Sequence, residues 1–262
     1  MSVAILIPAR YQSKRFPGKP LAKLSLPDGQ RKSLLQLTWE AACAVPGDLA
    51  VHVLTDDDRI RDSAEGFGAS VIMTSPDCRN GTERCAEAAA ALEAEIIVNL
   101  QGDAPLTPPW FVEDLIETLR TAPAEIAMAT PVLRCDPTTY AHLRVDRLQG
   151  RVGATTAVFD AHHTALYFSK EVLPWIDPGL PAAEIAVWHH VGIYAYRKPA
   201  LAAYTSLSEG RLEAVEGLEQ LRFLEHGRKV RCVEVEARGR VFWELNNPED
   251  IPRIEAALRD LL

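Results

Sequence analysis

The first 130 residues alternate between short apolar runs and amphipathic stretches, and this alternation limits the folds open to the chain. Strands are predicted at residues 3–7, 49–54, 70–73 and 96–100, with helices near residues 33–44, 57–67 and 83–92. Such alternation is typical of a parallel sheet covered on both faces. The predicted fold class is therefore α/β, with a mostly parallel twisted sheet flanked by helices.

The second half of the sequence is richer in strands. Strands are predicted at residues 154–160, 164–168 and 190–196, followed by helices near residues 212–225 and from residue 247 onward. The last helix is predicted to begin at Asn247, which is a favourable N-cap residue. Pro248 follows at the first helical position, and two acids in the first turn interact favourably with the helix dipole. The prolines of this half interrupt elements without forming a long linker. We expect one domain, residues 1–262, with a smaller strand-rich lobe from about residue 131.

The first strand runs into a basic loop that indicates phosphate binding. Arg10, Arg15 and Lys19 can neutralise the charge that grows on a departing pyrophosphate, and Gly18 lets the backbone approach closely. A plain solvated basic loop explains the composition about equally well. The loop matches neither G-x-G-x-x-G nor G-x-x-x-x-G-K-[ST], which disfavours a dinucleotide dehydrogenase or a P-loop enzyme.

Composition narrows the possible ligands. A formal net charge of -8 disfavours a nonspecific nucleic-acid surface, so cations concentrated in one loop favour a small anionic substrate. We find no signal peptide and no apolar run of membrane-spanning length. The five cysteines are odd in number and contain no C-x-x-C pair, so a zinc knuckle or disulfide framework is not expected. These features predict a protein of the reducing cytoplasm.

Two further segments contain residues that could bind a ligand or take part in catalysis. Asp103 follows the strand at 96–100, at the edge where open α/β sheets bind ligands, and is the predicted Mg²⁺ ligand. A turn-forming aspartate is the alternative. Gly81 and Thr82 open a helix whose free N–H groups suit a base edge or an anion, although a plain helix cap is equally available. Residues 83–87 are expected to form a solvated helix face unless the site reaches them.

Together, these segments resemble one family along almost the whole chain. Residues 7–21 read Ile-Pro-Ala-Arg-Tyr-x-Ser-x-Arg-Phe-Pro-Gly-Lys-Pro-Leu, and further matches occur, in order, at residues 55–56, 80–84, 98–103, 165–169, 190–197, 218–222 and 247–250. This pattern is similar to that of the CMP-Kdo synthetases, the 3-deoxy-manno-octulosonate cytidylyltransferases. The resemblance implies a glycosyltransferase-A-like nucleotidyltransferase that joins CTP to an acidic sugar, requires Mg²⁺ and forms a homodimer.

The resemblance also implies roles for individual residues. The nucleotide half is expected at about residues 1–130, and the acceptor and dimerisation half at about 131–262. By motif position the catalytic residues are Arg10, Arg15, Lys19 and Asp103, the nucleotide-binding residues are Pro8, Ala9, Asp56, Asn80, Gly81, Thr82, Arg84 and Gln101, the acceptor-binding residues are His190, Tyr194, Glu219 and Gln220, and the metal ligands are Asp103 and Asn246. Taken alone, a histidine that opens an apolar strand is more often a structural residue.

Three departures from the family pattern concern the acceptor and the metal. Ala104 stands where the family has glutamate, Asn246 stands where it has a second metal carboxylate, and residues 153–156 lack an expected lysine. An amide supplies an oxygen without negative charge, so metal affinity should change. Three hypotheses therefore stay open: cytidylyl transfer to Kdo or a related sugar acid, transfer to a small phosphonate such as phosphonoformate, and a catalytically silent nucleotide-binding paralogue.

Overall fold

The computed structural model describes residues 1–12, 16–151, 154–177, 179–181, 184–240, 243–245 and 247–261. The strands are β1 (Val3–Pro8), β2 (Lys23–Ser25), β3 (Arg31–Ser33), β4 (Ala50–Thr55), β5 (Ser70–Met73), β6 (Ile96–Leu100), β7 (Ile126–Arg134), β8 (Thr155–Phe159), β9 (Ala165–Ser169), β10 (Trp188–His190), β11 (Ile193–Arg197) and β12 (Lys229–Glu234). The α-helices are α1 (Leu34–Cys43), α2 (Asp58–Gly66), α3 (Gly81–Ala89), α4 (Pro109–Thr121), α5 (Pro137–Leu148), α6 (Lys198–Tyr204), α7 (Arg211–Glu216), α8 (Leu221–Glu225) and α9 (Ile251–Leu261).

In the described residues, one mixed sheet of ten strands runs through both halves of the chain. Its order is β5-β4-β1-β6-β11-β7-β10-β8-β9, and β12 lies beside β7. Only β9, β10 and β11 run against the other strands. The predicted α/β class with a mostly parallel, helix-flanked sheet is confirmed. A separate antiparallel pair, β2 with β3, lies outside this sheet.

The central strands β1 and β6 are apolar except for Asn99 because both of their faces are covered. Every residue of β1 and β6 is buried, as expected for parallel strands between two helical layers. One face packs against α1, α2 and α4, and the opposite face packs against α3, α6 and α8. Because β1 lies between β4 and β6 and is parallel to both, the loops after these three strands emerge together at the carboxyl edge of the sheet.

Two sequence-based predictions in the second half are wrong in detail. Residues 190–196 form two strands, β10 and β11, instead of one, because β10 pairs with β7 and β8 while β11 pairs with β6 and β7. The helix predicted at residues 212–225 is interrupted. Gly217 adopts a left-handed conformation, with φ of 62°, and its N–H donates to the carbonyl of Glu213, which ends α7. The chain turns before α8 begins, and Glu219 lies in that turn.

None of the helices in the described ranges is long and apolar enough to cross a membrane.

Candidate active site

A cleft of about 1160 Å³ opens where β1, β4 and β6 end. Carboxyl ends of parallel strands are the usual ligand-binding edge of such sheets. Eleven of the predicted site residues line this cleft: Pro8, Ala9, Arg10, Lys19, Asp56, Asn80, Gly81, Arg84, Gln101, Asp103 and Glu219. Residues from the loops that follow β1, β4, β5 and β6 therefore meet in one place, although they are distant in sequence.

Four other predicted residues lie outside this cleft. Thr82, His190, Tyr194 and Gln220 are buried and do not line the cleft. Predictions for Arg15 and Asn246 fall outside the described residues. Their assignments therefore stay predictions from the sequence.

Lys19 and Asp103 form an ion pair in the lining of the cleft. The Lys19 Nζ lies 2.5 Å from Asp103 Oδ2, with the side chains 16% and 24% exposed. Gly18 precedes the short 3-10 helix Lys19–Leu21 in a left-handed conformation, and its N–H donates to the carbonyl of Tyr11. The basic loop is thereby closed on itself, so that Lys19 faces the carboxylate. Leu245 donates its N–H to the backbone carbonyl of Asp103, which holds this turn from the C-terminal side.

Glycine at position 102 is required by a close backbone approach. A Cβ atom there would lie 2.8 Å from the carbonyl oxygen of Pro8 at the end of β1. This contact brings the loop after β6 against the loop after β1. Gln101 and Asp103, on either side of the glycine, are thus placed in the same cleft as Arg10.

Arg84 and Asp56 are anchored to each other on the wall formed by β4 and α3. Arg84 is 4% exposed, its Nη2 lies 3.3 Å from Asp56 Oδ1, and it also donates to the hydroxyl of Thr74. Both side chains line the cleft. Because the charge of Arg84 is balanced by Asp56, the pair adds a dipole to the cleft wall and no net positive charge.

The N-terminus of α3 is capped by two side chains. The Asn80 Oδ1 accepts the Glu83 N–H at 2.8 Å, and Glu219 Oε2 accepts the Thr82 N–H at 2.9 Å. The Thr82 hydroxyl lies 3.1 Å from the Tyr196 hydroxyl, inside the protein. Burial raises the pKa of Glu219, although the Thr82 hydrogen bond opposes that shift. The cap forms part of the cleft wall, since Asn80 and Glu219 both line it.

His190 occupies a buried polar site behind the cleft. Its two ring nitrogens lie 2.9 Å and 3.0 Å from the hydroxyls of Thr130 and Thr155. Burial, together with the neighbouring His189, lowers the pKa of His190 to about 3. The imidazole is therefore neutral at physiological pH. Tyr194 packs beside it, with ring centroids 5.6 Å apart.

Beside His190 lies a layer of buried polar side chains whose hydrogen-bonding groups are only partly satisfied. Tyr194 donates its hydroxyl to Gln220 Oε1 at 3.3 Å. The Gln220 Nε2 and both amide atoms of Asn99 are buried without a hydrogen-bond partner in the described part of the chain. Asn99 pairs with Tyr194 across β6 and β11. Buried amides normally require partners, so this layer has hydrogen-bonding capacity left for a water molecule or a ligand group.

The sequence analysis missed a set of charged residues beside the cleft. Glu83 was expected on a solvated helix face, but it is 9% exposed and pairs with Arg79 and Arg222. The expected solvated face fails at Glu83, because Arg222 of α8 contacts it, and holds at Glu87, which is exposed. Arg222 in turn binds Glu213, which lines the cleft. The family-like segments 80–84 and 218–222 contained Glu83 and Arg222 but indicated no contact between them.

Comparison with known proteins assigns the family. A family model described as cytidylyltransferase matches residues 4–230. The chain belongs to the cytidylyltransferase family. It is 44% identical to a 3-deoxy-manno-octulosonate cytidylyltransferase of Maricaulis maris, over 98% of this chain and 97% of that protein. It is 40% identical to an 8-amino-3,8-dideoxy-manno-octulosonate cytidylyltransferase of Shewanella sediminis, over 98% and 99% of the two chains.

A solved structure supports the same relationship. This cytidylyltransferase superposes on a CMP:2-keto-3-deoxy-manno-octonic acid synthetase complexed with CTP, with a TM-score of 0.85, 34% identity and complete coverage of both chains. The resemblance to the CMP-Kdo synthetases is thus confirmed. The cytidylyltransferase motifs that are far apart in sequence, from the basic loop to the Gln101-Gly102-Asp103 turn, are those that meet in the cleft.

Proposed function

We propose that this cytidylyltransferase transfers CMP from CTP to Kdo or a closely related sugar acid and releases pyrophosphate. One observation carries the proposal: Arg10, Lys19 and Asp103 meet the capped N-terminus of α3 in a single cleft. The cations match a triphosphate, and Asn80 and Gln101 add amide side chains to the same cleft. The relatives, named for Kdo and its 8-amino analogue, supply the acceptor class.

The chemistry follows from charge placement. An oxygen of the acceptor attacks the α-phosphorus, a phosphorus–oxygen bond forms, and the bond to pyrophosphate breaks. Negative charge accumulates on the leaving pyrophosphate. Lys19 and Arg10 stabilise that charge from the basic loop. No covalent intermediate on the enzyme is needed.

Mg²⁺ is part of the proposal, and the donor set fits it. Magnesium usually binds one or two carboxylates and completes its shell with phosphate oxygens and water. Asp103 supplies one carboxylate, and the described residues contain no cluster of three metal-ligating side chains, so CTP phosphates would complete the site. When bound, the ion neutralises charge on the phosphates. Asn246, the predicted second ligand, lies outside the described residues.

Three glutamates, Glu209, Glu213 and Glu219, line the acceptor side of the cleft. Glu213 is paired with Arg222, and Glu209 lies 3.7 Å from Arg79, whereas Glu219 accepts a backbone N–H. The Glu219 carboxylate suits the hydroxyl groups of a sugar, and it would also attract an ammonium group such as an 8-amino substituent. Because the relatives compared above are named for sugar acids, we propose a sugar acid over phosphonoformate.

A screen of pyrophosphate release tests this function. Each of the four nucleoside triphosphates is combined with Kdo, its 8-amino-3,8-dideoxy analogue and phosphonoformate, with and without Mg²⁺. We expect release with CTP and a sugar acid only, and none after removal of Mg²⁺. Release with phosphonoformate alone would support the phosphonate hypothesis. Tight CTP binding without release for any acceptor would favour the silent paralogue.

We also propose a homodimer formed through the second half of the chain and located in the cytoplasm. Large exposed apolar side chains occur mostly in that half, including Leu148 and Trp175, which are 85% and 77% exposed. All five cysteines, each within the described ranges, are free thiols, which suits a reducing compartment. Light scattering is expected to give twice the chain mass, and Trp175→Glu should shift it towards the monomer. A monomeric wild-type protein at micromolar concentration would contradict the dimer.

A further inference from the structure

A buried chain of charges links the two walls of the cleft. Arg222 is 1% exposed, and its Nε and Nη2 each lie 2.7 Å from one oxygen of Glu213 in α7. Its Nη1 lies 3.5 Å from Glu83 Oε1 in α3, and Glu83 also binds Arg79. Two cations and two carboxylates therefore neutralise one another. The pKa of Arg222 is raised by Glu213, against the effect of burial.

A second contact runs parallel to this chain of charges. The Arg222 guanidinium lies 4.1 Å above the ring of Tyr204, and the Tyr204 hydroxyl donates to Glu213 Oε1 at 3.3 Å. Asn80 donates its amide to the same hydroxyl at 3.1 Å. Asn80 is a predicted nucleotide-binding residue and caps α3. Arg222 thus reaches the nucleotide wall by two routes, through Glu83 and through Tyr204.

The segment held by Arg222 carries the predicted acceptor residues. Glu213 in α7 and Arg222 in α8 lie on either side of the turn that contains Glu219 and Gln220. Because Arg222 joins the two helices to each other and to α3, it fixes the position of that turn over the helix terminus. In this arrangement Glu219 accepts the Thr82 N–H at 2.9 Å.

We propose that Arg222 is a positioning residue for the acceptor side of the cleft, on the premise that the proposed transfer reaction is correct. It holds the Glu219–Gln220 turn at a set distance from the nucleotide wall and touches neither substrate. Arginine is required because its planar fork binds both oxygens of Glu213 and still reaches Glu83. Lysine keeps the positive charge, but its single ammonium group cannot reproduce the two parallel hydrogen bonds to Glu213 and the contact with Glu83.

Arg222→Lys tests the proposal because it leaves the buried charges compensated. We expect the acceptor KM to rise by about tenfold or more, the usual scale when a charge-assisted hydrogen-bond pair is lost. The CTP dissociation constant should rise less than the acceptor KM, since the Asn80 cap on α3 remains. Amide exchange should become faster in residues 79–84 and 212–222, which is measured without substrates.

Two further variants separate positioning from general stability. Glu83→Gln weakens the link from Arg222 to α3, together with the Glu83–Arg79 pair, and should shift acceptor KM and amide exchange in the same direction. Arg197→Lys is the matched control, because Arg197 binds the Leu119 and Ala122 carbonyls at the C-terminus of α4. Arg197 lies opposite Ile96, at the end of β6 away from the cleft. This control should leave acceptor KM and both exchange segments unchanged.

The outcomes distinguish the two proposals. Unchanged amide exchange in both segments of Arg222→Lys, or the same changes in Arg197→Lys, would overturn the positioning role whether or not the enzyme turns over. An acceptor KM within about twofold of wild type would also overturn it. Absence of acceptor-dependent release by the wild-type protein would instead contradict the proposed reaction, and amide exchange would still decide the role of Arg222.

Discussion

Lys19→Met is expected to lower the turnover of CTP and a sugar acid by at least about a hundredfold, the usual scale for loss of transition-state charge stabilisation. Lys19 is the described cation of the basic loop that already faces Asp103, at 2.5 Å. Methionine preserves much of the apolar stem and removes the ammonium group. The loss should appear in kcat at saturating CTP, because the charge on the leaving pyrophosphate develops only during the reaction.

The stability of this variant should change little. The Lys19–Asp103 pair is partly exposed, and such pairs contribute about 1 kcal/mol or less. Lys23→Met is a suitable control, since Lys23 is exposed in β2 and does not line the cleft. Pyrophosphate release and thermal unfolding are measured for both variants. Near-normal release by Lys19→Met at saturating CTP would remove Lys19 from the reaction.

Local sequence patterns were sufficient to predict the strands and loops that surround the site. The apolar runs of β1 and β6 predicted two buried strands, and parallel strands place their following loops at one edge. The sequence alone therefore predicted that the basic loop and Asp103 lie at one edge of the sheet, and Arg10, Lys19 and Asp103 line one cleft there. The sequence did not reveal the role of Gly102. Because Gly102 has no side chain, the loop after β6 can contact the end of β1.

Contacts between distant residues could not be predicted in the same way. Glu83 and Arg222 are 139 positions apart, and a glutamate on a helix pattern is expected to be solvated unless its partner is known. Gly217 stands inside an otherwise helical run, where a left-handed conformation is one of several outcomes that local propensity allows. His190 illustrates a third limit, because its burial between two threonines depends on the pairing of β10 with β7 and β8.

Asp103→Asn is expected to abolish detectable transfer and to leave the fold intact. Asparagine has nearly the same shape and retains one oxygen, but it carries no charge for a cation. The hydrogen bond from Leu245 reaches the Asp103 backbone carbonyl and survives the change. The ion pair that is lost is partly exposed, so the melting temperature should fall by only a few degrees, corresponding to about 1 kcal/mol or less.

The double variant separates two explanations for that loss. If Asp103 only orients Lys19, then Lys19→Met with Asp103→Asn should be no slower than Lys19→Met alone, since the partner is already absent. If Asp103 also holds the cation, the double variant should be slower and should bind less Mn²⁺ in the presence of CTP, as measured by electron paramagnetic resonance. The magnesium dependence of CTP affinity gives a further measure for Asp103→Asn. A wild-type dependence, together with wild-type Mn²⁺ binding, would place the cation away from Asp103 and leave that carboxylate as the partner of Lys19 alone.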